Sequence, residues 1–111
     1  MEPEQAARLA REALDDKKAI APIVLDVRAT SGVTDFYVIA AGNSGPHLKA
    51  LVTEVCHRLD GAGARRHGRT GGPETGWIVL DYLGIVVHVF TPERRAYYAL
   101  EDLWSDAPRL P

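Results

Sequence analysis

The 111-residue chain has one cysteine, one methionine, few aromatic residues and no surplus of basic charge. The lone Cys56 excludes an intramolecular disulfide framework and any zinc site built on cysteines, and it suits a reducing compartment. Met1-Glu2-Pro3-Glu4-Gln5 lacks the basic-then-apolar character of a signal peptide, and no apolar run nears the roughly 20 residues of a membrane span. The expectation is a cytoplasmic protein that enters no membrane. With 13 Lys and Arg against 15 Asp and Glu, the net charge of −2 gives no general attraction to nucleic acid. Arg65, Arg66 and Arg69 with His67 are the local exception. The length is that of one domain, large enough to fold without disulfide or metal staples.

What is present is patterned. From Pro3 to Asp16, the residues Ala6, Leu9, Ala10, Ala13 and Leu14 recur at three- and four-residue spacing, one stripe of an amphipathic helix. Ile23 to Val27, opened by Pro22, is β-branched and too short for a stable helix, so it reads as a strand. Thr30-Ser31-Gly32 marks a turn, and Phe36 to Ala41 is apolar on both faces, the pattern of an interior strand. Ser44 or Gly45 can cap a second helix that carries Leu48, Leu51, Val52, Val55, Cys56 and Leu59 until Gly61 stops it. Between Gly61 and Gly76 glycines and arginines alternate, a loop with at most a short strand near Ala64 to His67. Trp77 to Tyr82 and Ile85 to Phe90 flank Leu83-Gly84, a hairpin signal. Thr91-Pro92-Glu93 opens a last helix with Tyr97, Leu100 and Trp104 on one face, ended by Pro108. This order predicts a single α/β domain, with helices packed on a mixed sheet in the α+β manner.

Several chemistries are testable against these letters. Gly42-Asn43-Ser44-Gly45 between strand and helix can hold an anion, and a plain turn has the same composition. No Gly-Lys-Ser/Thr follows it, and Pro46 stands where a hydrolase elbow has its last glycine. Two-metal nucleotidyl transfer needs converging carboxylates, yet Asp81 has Leu83 two residues on, leaving only distant Asp26 and Asp35 to join it. His47, His57, His67 and His88 show no zinc-site spacing. His88 alternates with Val86 and Phe90 and reads as a half-buried, hydrogen-bonded imidazole, while Cys56 reads as core. Trp77 and Asp81 share one strand face, with Tyr82 and Leu83 at the turn. Helices on one side of a sheet leave the other for a partner, and aromatics beside an acid anchor interfaces; ordinary core packing accounts for Trp77 equally.

Leu25-Asp26-Val27, Thr34-Asp35-Phe36-Tyr37-Val38-Ile39-Ala40, Gly42-Asn43-Ser44 with His47, Trp77 to Tyr82, Val86-Val87-His88-Val89-Phe90 and Leu100-Glu101-Asp102-Leu103-Trp104 with Asp106-Ala107 follow one another in order. In these blocks the chain resembles the ribosomal silencing factor (Iojap) family, from about Leu14 to Pro108. The resemblance implies one silencing-factor domain over residues 1–111, similar to nucleotidyltransferases in fold but without their catalytic acids, and not an enzyme. It implies a translation repressor that binds the large ribosomal subunit through large-subunit ribosomal protein fourteen and blocks joining of the small subunit when nutrients are scarce. No cofactor, metal, membrane or direct nucleic acid is required. The partner-binding residues implied are Trp77, Asp81, Tyr82 and Leu83. The apolar hairpin face could also pair with itself in a free homodimer. Two departures stand out: Thr70-Gly71 replaces a Glu-Gly before the tryptophan, and Gly84-Ile85 replaces an acid before the Val-Val-His block. The contact therefore leans on Trp77 and Tyr82. The alternatives are a metal-dependent nucleotidyltransferase-like or nucleotide-binding protein, and a ribosomal-RNA-binding module built on Arg65, Arg66 and Arg69.

Overall fold

A computed structural model describes residues 1–30 and 32–111; the turn expected at Thr30-Ser31-Gly32 includes Ser31, which lies outside the described residues. Five strands, β1 (Ile20–Asp26), β2 (Phe36–Ala41), β3 (Gly68–Gly72), β4 (Trp77–Asp81) and β5 (Ile85–Phe90), form one mixed sheet in the order β1-β2-β5-β4-β3. Only β2 and β5 pair in parallel. Both are buried at every position, as the continuous apolar letters of each strand require. The expected mixed α/β domain is what forms.

Helices α1 (Pro3–Asp16) and α2 (Gly45–Gly61) supply one side of the larger core, which joins Ala10, Leu14, Leu48, Leu51 and Val55 to Val38, Leu80, Val87 and Val89. The apolar stripe of α1 is mostly alanine, which lets its backbone lie close to its neighbours. Ser44 caps α2 by accepting the His47 N–H at 3.2 Å. Half-buried Arg58 ties the two helices together, pairing with Glu54 at 2.7 Å and with Asp16 at 2.5 Å.

The opposite face carries a smaller core of Leu25, Val27, Tyr37, Ile39, Val86, Phe90 and Ala107. It is covered by helix α3 (Pro92–Tyr98), the short α4 (Leu100–Leu103) and the residues after them. The Asp26 N–H donates to the Pro108 carbonyl at 2.8 Å and the Leu110 N–H to Val24 at 3.0 Å, so this last segment runs beside β1.

Three expectations need correction. The short strand forms at Gly68–Gly72 and not near Ala64 to His67. Its glycines, which read as loop, are what the pairing needs: Gly71 has φ +82°, and a Cβ there would lie 2.1 Å from the Trp77 carbonyl oxygen. The last helix is not continuous to Pro108 but breaks at Ala99, which adopts φ 46° and ψ 48°. Arg95 holds Glu101 at 3.0 Å and donates to the Ile20 and Ala21 carbonyls, which folds the chain back and sends Leu100 and Trp104 into the second core. Tyr97 consequently leaves the shared face and is 78% exposed. β1 begins earlier than expected, at Ile20, with a register shift before Ile23 that accommodates Ala21 at φ 44° and Pro22.

A left-handed alanine costs about 1 kcal/mol that glycine avoids. Ala99→Gly should raise stability by about 0.5 kcal/mol or more in urea denaturation, after glycine's own entropy cost is subtracted. A lowered midpoint would show that the break at Ala99 is unstrained.

Candidate functional site

The pairing of β4 with β5 builds the surface where the covering segment ends. Register sets Trp77 opposite Phe90, Val79 opposite His88 and Asp81 opposite Val86, all on the face turned away from α1 and α2. The Trp77 ring stacks on Phe90 at 4.9 Å between centroids and meets Tyr98 at 4.4 Å. Its indole Nε1–H donates to His88 Nδ1 at 3.1 Å. This bond requires an imidazole unprotonated at Nδ1, and burial pushes the His88 pKa from its ordinary 6.5 down to about 4. His88 in turn lies 5.5 Å from the Tyr37 ring, which packs on Trp104 at 4.5 Å. The tryptophan is thus gripped on its inner edge and remains half-buried. Beside it opens a hollow of about 510 Å³ lined by Thr70, Gly71, Thr75, Val79, Arg94 and Tyr98.

The turn at the other end of β4 is held tightly. Asp81 Oδ1 accepts the Leu83 N–H at 2.8 Å, the Gly84 N–H donates to the Tyr82 carbonyl at 2.9 Å, and Thr34 Oγ1 donates to the Leu83 carbonyl at 2.7 Å. Leu83 is the centre of this γ-turn with φ +69°, a strained conformation for leucine, and its side chain is 60% exposed. Tyr82 faces the other way. Its ring belongs to the helix-covered core, and its buried hydroxyl has no hydrogen-bond partner of good geometry. Burial first, and the adjacent Cys56 second, hold that phenol above its usual range. Of the four residues singled out in the sequence, Trp77 and Asp81 therefore share the face turned away from α1 and α2, Leu83 protrudes from the turn beside the start of α1, and Tyr82 supports the turn from inside. A Cβ at Gly84 would lie 2.8 Å from Pro3 Cγ, so an acid there requires the first turn of α1 to shift.

The other candidates resolve differently. The amide of Asn43 donates to His47 Nδ1 at 2.9 Å, and His47 Nε2 donates to the Lys17 carbonyl at 2.8 Å, so the Asn43 amide and the His47 ring are committed within the fold. Asp26 holds Arg28 through both carboxylate oxygens at 2.9 and 2.7 Å, and that guanidinium lowers the Asp26 pKa. Among the described residues, no three or more His, Cys, Asp or Glu side chains gather as a metal-binding group, so Asp26, Asp35 and Asp81 are not brought together as one. Cys56 packs against the larger core and accepts from Arg66 Nη1 at 3.4 Å. Tyr98, Arg94 and Thr75 went unread in the sequence. Alternation signals the face of Trp77, but which tyrosine of the Tyr97-Tyr98 pair meets it depends on the distant Arg95 anchor.

Over residues 1–111 the sequence matches the family model described as ribosomal silencing factor during starvation. It is 36% identical over 108 residues to the ribosomal silencing factor of Bacillus subtilis, covering 97% of this chain and 92% of that protein. A crystal structure of a Chromobacterium violaceum protein superposes with a TM-score of 0.90 at 35% identity, over 95% of this chain and 88% of that one. One from Bacillus halodurans gives 0.83 at 33% identity, over 97% and 98%. The Iojap-related mitochondrial protein of Arabidopsis thaliana is 40% identical over 75 residues, 64% of this chain and 41% of that protein.

Because the folded His88 pKa of about 4 lies below its ordinary 6.5, the unfolded chain takes the proton first. The stability associated with neutral His88 is complete above pH 6.5 and is lost as pH falls towards 4, by on the order of 3 kcal/mol. Urea midpoints measured across this range should fall in the wild type and stay flatter in His88→Asn. Equal slopes in the two proteins would contradict this assignment.

Proposed function

This chain belongs to the ribosomal silencing factor family, and on that premise we propose a translation repressor that acts by occupying the large ribosomal subunit. Its partner is large-subunit ribosomal protein fourteen at the intersubunit face, and its own bulk blocks joining of the small subunit under nutrient limitation. The action is steric and cytoplasmic, needs no cofactor, and involves no catalysis by the chain. No helix among the described residues is long and apolar enough to cross a membrane.

One observation carries this reading. Trp77 is orientated by a hydrogen bond from its buried edge, yet its outer edge borders an apolar hollow, with Leu83 protruding at the other end of the strand. A preorganised aromatic beside a cavity is the form that interface anchors take, because little side-chain entropy is left to lose on binding. Asp81 commits only Oδ1 to the turn, which leaves Oδ2 for a cationic side chain of a basic ribosomal protein. The net charge of −2 favours that protein over bare RNA as the principal partner. The same face can pair with itself in a free homodimer, which must open before docking.

Affinity for purified large subunits, measured by cosedimentation, tests the reading. Trp77→Ala should weaken binding by about 2 kcal/mol or more, roughly thirtyfold. Leu83→Gly, which relieves the left-handed turn while removing the protruding side chain, should keep or raise stability and still weaken binding by about 1 kcal/mol. Wild-type affinity in both folded variants would place the docking surface elsewhere.

A further inference from the structure

The arginines divide into two groups. Arg8, Arg28, Arg58 and Arg95 each hold a carboxylate, and Arg11 donates to the Leu110 and Pro111 carbonyls. Arg65, Arg66, Arg69, Arg94 and Arg109 are exposed and form no ion pair with any described residue.

Arg109 lies beside β1, and the other four follow the opposite edge of the sheet. Arg65 borders the Leu83-Gly84 turn. Arg66 lies over Cys56 at 3.4 Å, and the next residue is pinned by the His67 N–H donating to the Asp81 carbonyl at 2.7 Å. Arg69 sits on β3 opposite Leu80, and Arg94 stands at the far end against Gly76, beside the Trp77 hollow. β3 spans about 17 Å at the rise of an extended strand; Arg69, paired with core-facing Leu80, lies on its helix-covered side and Arg94 on the Trp77 side, so the guanidinium groups are spread around the edge as a row and not a knot. β3 pairs with β4 only, and Gly68, Gly71 and Gly72 present no side chain to shield the row or the outward-facing amides. Asp60, Glu74 and Asp81 on the adjoining segments neutralise none of these arginines.

Concentrating unpaired guanidinium groups on one edge of a chain whose net charge is −2 has a cost in like-charge repulsion that only an anionic partner offsets. Guanidinium forks match phosphate oxygens in geometry, and a row matches a polymer of phosphates better than it matches a single anion. We propose that the β3 edge is a contact for the ribosomal RNA backbone. When the Trp77 face is docked on protein, the arginine row lies along adjacent phosphates and adds a salt-dependent, sequence-independent share of the affinity. The inference rests on the docking reading above and extends it from one partner to a composite of protein and RNA.

The test compares the wild type, a triple variant Arg65→Gln, Arg66→Gln, Arg69→Gln and its charge-keeping counterpart with lysine at the same positions. Each is titrated onto purified large subunits and onto isolated large-subunit ribosomal protein fourteen over a range of potassium chloride concentrations. On large subunits the glutamine variant should bind at least about tenfold more weakly, and its slope of log affinity against log salt should be shallower by about two to three. The lysine variant should keep the wild-type slope. On the isolated protein all three should bind alike. A glutamine variant with wild-type affinity and slope on large subunits overturns the proposal, as does an equal loss on the isolated protein, which would assign the row to a protein contact. Failure of the docking reading looks different: Trp77→Ala then binds large subunits like the wild type while the arginine-dependent slope persists.

Discussion

Parallel pairing of β2 with β5 is the constraint on which the remaining geometry depends. Both strands are buried on both sides, so the period of two along β5 sends Ile85, Val87 and Val89 to the helix-covered core and Val86, His88 and Phe90 to the other. A slip of one residue would exchange the two sets and place an imidazole among the alanines of α1. The hairpin then transfers this register to β4. Trp77 lands opposite Phe90 and its indole N–H meets His88, so the placement of the exposed aromatic follows from the placement of the buried strand pair.

The two faces of the sheet are finished differently, and function lies in the difference. On one side α1 and α2 close a continuous core. On the other, the break at Ala99 turns the chain towards β1, which covers Tyr37 with Trp104 and leaves the β4 and β3 side with only Tyr98 over Trp77. Burying His88 is unfavourable unless its polar atoms are paired. The bond from Trp77 supplies that pairing and fixes the orientation of the indole. At the far end of the same strand, the left-handed Leu83 holds an apolar side chain out into solvent, a conformation maintained by Asp81 and Thr34. Local strain and exposure of this kind persist where the surroundings enforce them, and they concentrate at functional surfaces.

Much of this was legible because it is local. The hairpin at Leu83-Gly84, the interior character of Phe36–Ala41 and the Ser44 cap each depend on neighbouring residues and appear where expected. Alternation also separates Trp77 and Asp81 from Ile78 and Leu80; the structure puts Tyr82 with the latter pair in the core, although the resemblance sets it beside Trp77 as a partner contact. The missed features are non-local. Glycine content alone reads as loop at Gly68–Gly72, since the close approach to Trp77 that requires Gly71 comes from a partner strand. The fate of Tyr97 and Tyr98 is decided by Arg95 reaching Glu101 and the start of β1. The basic cluster is visible as letters, whereas its arrangement along the β3 edge, with Arg94 joining it beside the Trp77 hollow, exists only in three dimensions.

The central claim is that the chain prevents the two ribosomal subunits from joining by sitting on the larger one. Light scattering after small subunits are added to large subunits preincubated with the chain tests this directly. The account predicts that the rise in scattering diminishes as the chain saturates the large subunit, reaching its minimum at about one bound copy each. A full rise with the chain demonstrably bound would contradict it.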